Sequence, residues 1–177
     1  MDCNPELIAA AQNNTAKLGF SDRFALHTGE LADTRFLENL RMEASPVQLV
    51  MANPPWRLVG SGRLPATEAR RKALFGDKGT LPLFASAASS LLEEDGRFAC
   101  IISPDRLQDM LAALDGAGLT PYLLQYIHKQ KTSPATFVLI EARKGAHAKP
   151  SVAEPIALYG PERFFTLESL AFCPFLR

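Results

Sequence analysis

The chain has no excess of charge of either sign. Its 19 Lys and Arg balance 19 Asp and Glu, giving a formal net charge of +0 over 177 residues. No strong global field therefore draws in nucleic acid, and any basic surface must be local. Cysteine is scarce: Cys3, Cys100 and Cys173 are scattered, with no C-x-x-C and no metal-ligand spacing. A disulfide framework and a zinc module are excluded, and no metal is expected. A reducing cytoplasm is the expected location, with the cysteines serving as small apolar residues. No apolar run reaches the ~18–20 residues of a membrane span. The N-terminus has no basic region followed by an apolar stretch, so no signal peptide is expected. Internal repeats, low-complexity tracts and long linkers are also missing.

What remains is globular. Hydrophobic residues make up 47% and charged residues 21%, the balance of a folded domain. A chain of this length suits a single domain with its own core. "NPELIAAAQNNTAKLGF" predicts a helix, with Asn4 as cap, Pro5 at the first helical position and Gly19 as stop. A short strand is expected over Phe24–Thr28, ending at Gly29-Glu30-Leu31. "ADTRFLENLRME" predicts a second helix, capped by Asp33 or Thr34. "VQLVMA", Val47 to Ala52, is apolar at nearly every position, as expected of a strand covered on both faces. The polar stretch from Arg57 to Lys78 reads as a loop. "TLPLFASAASSLLEEDG" reads as a helix stopping at Gly96, then "RFACIIS" as a buried strand and "PDRLQDMLAALDGAG" as a helix. "PYLLQYIHK" and "ATFVLIEARKG", joined by "QKTSP", suggest an antiparallel hairpin. "IALYG" is one more candidate segment. Alternating helices and strands predict an α/β protein with a mostly parallel sheet, helices on both faces, and an antiparallel strand near the end.

"VMANPPW", Val50 to Trp56, stands out. Two readings compete: a buried strand stopped by Pro-Pro, or a rigid polar-aromatic clamp at a strand's carboxyl end, where open α/β sheets bind ligands. Given the frequency of Pro, chance occurrence of the tetrapeptide in such a chain is on the order of one in a thousand. "NPPW" after an apolar strand resembles the Asn-Pro-Pro-aromatic motif of S-adenosylmethionine-dependent amino-methyltransferases. The stretches "NPPWRLVGSGRLPATEARRKALF", "LLEEDGRFACIISPDRL", "GLTPYLLQYIHK" and "PATFVLIEARKGA" narrow the likeness. Together they resemble the bacterial transfer-RNA (adenine-N6) methyltransferases that act at the base beside the valine anticodon. The resemblance runs from Asp2 to about Phe165. It implies a Rossmann-like class I methyltransferase sheet, mostly parallel with a C-terminal antiparallel strand. No G-x-G-x-x-G or G-x-G-x-G occurs, so the family's first strand and Gly-rich loop are expected to be missing ahead of Met1. Residues 1–177 would then be the C-terminal portion of one methyltransferase domain, prone to self-association because a central strand is absent.

The resemblance also implies site residues, each with a plainer alternative. Asp2 would accept from the ribose hydroxyls of S-adenosylmethionine, or be a terminal acid. Cys3 would line the adenine side, or simply pack. Glu30, with Leu31 beside it, matches a position usually held by Asp that accepts from the cofactor adenine amine; otherwise it is a solvated acid. Asn53, Pro54, Pro55 and Trp56 would be catalytic. In the family's mechanism the Asn oxygen and the first Pro carbonyl accept the two N–H bonds of an exocyclic amine and aim its lone pair at the methyl group. Asn53 would thus also face the cofactor. Trp56, where the family more often has Tyr or Phe, would stack on a splayed base. The alternative for this segment is a strand terminator with a buried Trp. Arg57, Arg63, Arg70, Arg71 and Lys72, with Lys78, form a basic stretch beside the motif. It would hold RNA phosphates or be an ordinary solvated surface. His128, Lys129 and Lys131 would add to that surface, while His27 and His147 suggest no role. Three functions follow: an adenine-N6 methyltransferase acting on tRNA; a non-catalytic fragment or pseudoenzyme that keeps an RNA-facing surface; or a protein-glutamine N5 methyltransferase, which would not need the basic stretch.

Overall fold

The computed structural model describes residues 1–44, 46–58, 65–145 and 149–173. Contacts divide the chain into two compact units, Met1–Ala44 and Ser45–Arg177.

In the first unit, α1 (Pro5–Lys17) and α2 (Thr34–Glu43) form where their caps predict. The Asn4 side chain accepts from the Glu6 N–H at 2.9 Å, and Pro5 takes the first turn. Asp33 Oδ1 accepts from the Arg35 and Phe36 N–H groups at 3.0 and 3.2 Å. Gly19 follows α1 at φ 72°, a left-handed position that glycine occupies at low cost. No residue of α1 is buried, so caps rather than packing fix its ends. The strand expected over Phe24–Thr28 is not formed. It is reduced to a parallel bridge between Asp2 and Thr28, with a 3-10 turn at Ser21–Arg23 before it. A strand needs a partner of matching length. The neighbour here is Asp2, whose N–H donates to the His27 carbonyl and whose carbonyl accepts from the Gly29 N–H, both at 3.2 Å.

The second unit runs β1 (Val47–Ala52), β2 (Arg57–Leu58), α3 (Glu68–Leu74), β3 (Phe75–Gly76), α4 (Thr80–Leu91), β4 (Leu92–Ile102), α5 (Leu107–Gly116), β5 (Leu119–Gln130), β6 (Ala135–Lys144), β7 (Ser151–Val152), β8 (Ile156–Tyr159) and α6 (Leu167–Phe172). The sheet order is β1-β4-β6-β5-β7, with β8 also on β5. β1 is parallel to β4, and β7 and β8 are parallel to β5. β6 alone runs against its neighbours β4 and β5. This is the expected α/β fold, a mostly parallel sheet with one antiparallel strand inserted by the C-terminal hairpin. Phe98, Cys100 and Ile102 of β4 and Val138, Ile140 and Ala142 of β6 face α4 and α5, and with Leu81, Met110 and Leu114 they form the core.

Three expectations for this unit need correction. The stretch Arg57–Lys78 is not a continuous loop: β2 and β3 pair in parallel, Arg57 with Phe75 and Leu58 with Gly76, and α3 lies between them. The helix begun at Thr80 ends at Leu91 rather than Gly96. The Lys144 ammonium donates to the Ser89 and Leu92 carbonyls at 2.9 and 2.8 Å and so caps the end of α4. Leu92 then pairs with Val47, and the chain bulges through Asp95, at φ 62°, before Arg97 pairs with Leu49. Lastly, β1 is not covered on both faces. Val47, Val50 and Ala52 pack against the core, but Leu49 and Met51 are 42% and 75% exposed. α4 and α5 cover one face of the sheet. The other face carries a groove of about 550 Å³, lined among others by Met51, Ala99, Ile101, Leu123 and Leu139.

Candidate active site

The clamp tetrapeptide leaves the carboxyl end of β1, in register with the buried end of β4, where Ala52 pairs with Cys100. Pro54 is fully buried, whereas Asn53 is exposed and Pro55 and Trp56 are half-buried. Among the described residues no hydrogen-bond partner engages the Asn53 side chain. The two prolines fix φ and contribute no N–H of their own.

Three neighbours from distant parts of the sequence hold this short loop. Gly76 of β3 lies against the Pro55 carbonyl: a Cβ there would stand 2.8 Å from that oxygen and 2.6 Å from Thr80 Oγ1. Only a glycine lets the two backbones approach so closely. Thr80 is itself fixed, donating to Asp77 Oδ1 and accepting from the Asp77 N–H, both at 3.0 Å. Arg106, in the 3-10 turn after β4, donates from Nη1 to the Trp56 carbonyl at 3.0 Å. Phe137 of β6 meets the Trp56 ring edge-on, with centroids 6.1 Å apart at 73°. The Arg57 guanidinium lies over the Trp56 ring, 5.2 Å from its centroid.

The basic residues beside the clamp are placed as follows. Arg57 opens β2, and Arg70, Arg71 and Lys72 are exposed on α3. Arg63 and His147 lie outside the described residues. Lys129 and Lys131 are exposed at the β5–β6 turn. His128 Nδ1 pairs with the Ser133 carbonyl at 2.7 Å and closes that turn.

In the first unit, Asp2 and Glu30 belong to the two ends joined by the Asp2–Thr28 bridge. Asp2 Oδ1 accepts from the Asn4 N–H at 2.8 Å, which orients the carboxylate and leaves its second oxygen available. Glu30 and Cys3 are exposed, and Leu31 is half-buried. Cys100 is different: burial pushes its thiol up from 9.0 to about 12, leaving it protonated and inert. Among the described residues no group of three His, Cys, Asp or Glu side chains could hold a metal ion, and no helix is long and apolar enough to cross a membrane.

Arg106, Gly76 and Phe137 do not stand out in the sequence. An Arg four residues past the apolar run of β4 was the available signal, since a cation buried there must find a partner.

No family model matches the chain. Over 112 residues it is 32% identical to the tRNA1(Val) (adenine(37)-N6)-methyltransferase of Porphyromonas gingivalis, in two strains. The match covers 62% of this chain and 42% of that protein, so the chain aligns with less than half of these curated relatives. Among solved structures, it resembles a predicted O-methyltransferase from Agrobacterium tumefaciens, with TM-score 0.69 and 19% identity, over 98% of this chain and 73% of that one. It also resembles the type I restriction enzyme EcoKI M protein, with TM-score 0.55 and 17% identity, over 98% and 38%. The fold is that of the class I methyltransferases.

Proposed function

We propose that the chain is part of an S-adenosylmethionine-dependent methyltransferase that acts on the exocyclic N6 amine of an adenine in tRNA. The observation that carries this reading is the clamp: an exposed Asn53 amide beside two φ-locked prolines at a strand's carboxyl end, with Gly76 packed against the Pro55 carbonyl and Arg106 bonded to the Trp56 carbonyl. The tRNA-modifying activity named for the 32%-identical relative supports it.

An aromatic exocyclic amine is a poor nucleophile because its lone pair is delocalised into the ring. The exposed Asn53 oxygen accepts one of its N–H bonds and the Pro54 carbonyl, which must open to the base because Pro54 is buried here, accepts the other, which favours a more tetrahedral nitrogen. The work is positioning and electrostatics, with two φ-locked prolines holding the backbone beside Asn53 before the amine arrives. Trp56 stacks on the base; Arg57 already occupies its ring and moves aside or stays on the opposite face. Arg57, Arg63, Arg70, Arg71 and Lys72 contact RNA phosphates.

The donor set at the Asp2–Thr28 bridge suits S-adenosylmethionine. An oriented Asp2 carboxylate, with one oxygen available, accepts from ribose hydroxyls. Glu30 accepts from the adenine amine, and Cys3 and Leu31 line the base. When bound, the cofactor supplies the electrophilic methyl group. Residues 1–177 contribute to one methyltransferase domain, and the exposed Leu49 and Met51 on β1 favour association with a second copy.

The test offers the chain labelled S-adenosylmethionine with either unmodified tRNA or a glutamine-bearing peptide. Label in tRNA supports the reading, and label in the peptide alone replaces it with protein-glutamine methylation. Label in neither, with tRNA still bound, favours the non-catalytic alternative.

A further inference from the structure

We infer that Arg106 is a positioning residue that sets the angle of the Asn53–Trp56 clamp. This rests on the reading of the clamp as the amine-binding site. The Arg106 side chain is only 6% exposed. Burying a guanidinium carries a large desolvation cost unless its donors are well paired. Two named bonds offset it. Nε donates to Asp109 Oδ2 at 2.7 Å, one turn along α5, and Nη1 donates to the Trp56 carbonyl at 3.0 Å. The first bond aims the planar fork, and the second ties the end of β4 to the loop leaving β1.

The consequence lies in the backbone. Prolines at positions 54 and 55 remove the φ freedom of two residues. The remaining freedom is in ψ of Asn53, Pro54 and Pro55 and in the Trp56 peptide. Gly76 blocks one side of the Pro55 carbonyl, Phe137 meets the indole edge, and Arg106 fixes the Trp56 carbonyl. If that last tie is released, the Trp56 peptide can turn, and the Pro54 carbonyl and Asn53 amide swing with it. Arg106 does not touch the acceptor amine; it acts through the loop.

Trp56 is the only tryptophan in the sequence, so its fluorescence reports this loop alone. The experiment compares the full chain with Arg106→Met and Arg106→Lys, each checked for fold by far-UV circular dichroism. Arg106→Met is expected to shift Trp56 emission to the red and to raise acrylamide quenching. It also lowers kcat for methyl transfer roughly ten- to a hundredfold, with little change in KM for S-adenosylmethionine. Arg106→Lys restores part of both effects, since an ammonium reaches one acceptor but lacks the fork that serves two. If Arg106→Met does not fold, Asp109→Asn gives the same readouts at smaller size, because the Asp109 side chain is 59% exposed. Unchanged emission and quenching in a folded Arg106→Met, or in Asp109→Asn if that variant must stand in for it, would overturn the inference. If the unsubstituted chain transfers no methyl group, the methylation reading fails, while the fluorescence comparison still decides the role of Arg106.

Discussion

The guanidinium of Arg106 donates to the backbone carbonyl of Trp56, 3.0 Å away and 50 residues earlier in the chain. A buried cation from the end of one strand thereby holds the loop at the end of its parallel neighbour. The loop is built as an extension of the sheet's carboxyl edge, not as a free connection. Its stiffness comes from two prolines within it and from contacts supplied by three later segments: the Gly76 backbone and the Arg106 and Phe137 side chains.

Gly76 is the most sensitive of these supports to added volume. Gly76→Ala puts a methyl group 2.8 Å from the Pro55 carbonyl, which is backbone and cannot rotate away. The substitution is expected to destabilise the protein by about 1–3 kcal/mol, read as a lower Tm, and to displace the loop, read as a change in Trp56 emission. An unchanged Tm and emission would show that the loop has room to move.

Much of the framework was legible locally, because local signals produced it. Asn4, Asp33 and Gly19 act at the helix ends where their side chains or conformational freedom place them. The apolar run of Val47–Ala52 did mark a strand. Its uniform apolarity suggested two covered faces, whereas Met51 projects from the face opposite the helices. Composition reports what a strand can bury, not what is present to cover it. The end of α4 was misplaced because a remote Lys144, not the nearby Gly96, terminates it. β2 and β3 are two residues each and exist only by pairing with one another, so neither carries a periodic pattern. In the candidate site, Asn53 to Trp56 were legible as a motif, but Arg106 and Phe137 were not, since their roles depend on contacts that only the folded sheet creates.

The basic residues after the clamp lead to a salt-dependence test. If Arg70 and Arg71 contact phosphates, the double variant Arg70→Ala, Arg71→Ala should weaken tRNA binding. The slope of log affinity against log salt should then become shallower by about 1.4–1.8. An unchanged slope would assign these side chains to solvated surface.

Cys100 provides a pH test. Its thiol is held at about 12 in the folded protein against 9.0 in the unfolded chain, by desolvation. Below pH 9 both states keep the proton and stability is unaffected. Between 9 and about 12 the unfolded chain releases the proton while the folded protein holds it, so stability falls as pH rises through this window. Denaturation midpoints should decline above pH 9, and less steeply in Cys100→Val. Equal slopes for both proteins would place the effect in other groups.

The exposed face of β1 bears on assembly. Light scattering should report a mass that rises with concentration, and Met51→Lys should reduce that rise. At a position 75% exposed the substitution costs the fold little. A monomer at every concentration would contradict association through this strand.

The central claim is that the Asn53 clamp methylates an adenine amine. It is tested most directly by mass spectrometry of nucleosides from unmodified tRNA incubated with S-adenosylmethionine and the chain, or with its Asn53→Ala variant. The account predicts N6-methyladenosine with the unsubstituted protein and a rate lower by roughly a hundred- to a thousandfold in Asn53→Ala, with tRNA binding retained. Equal N6-methyladenosine from both proteins, or none from the unsubstituted chain, would contradict it.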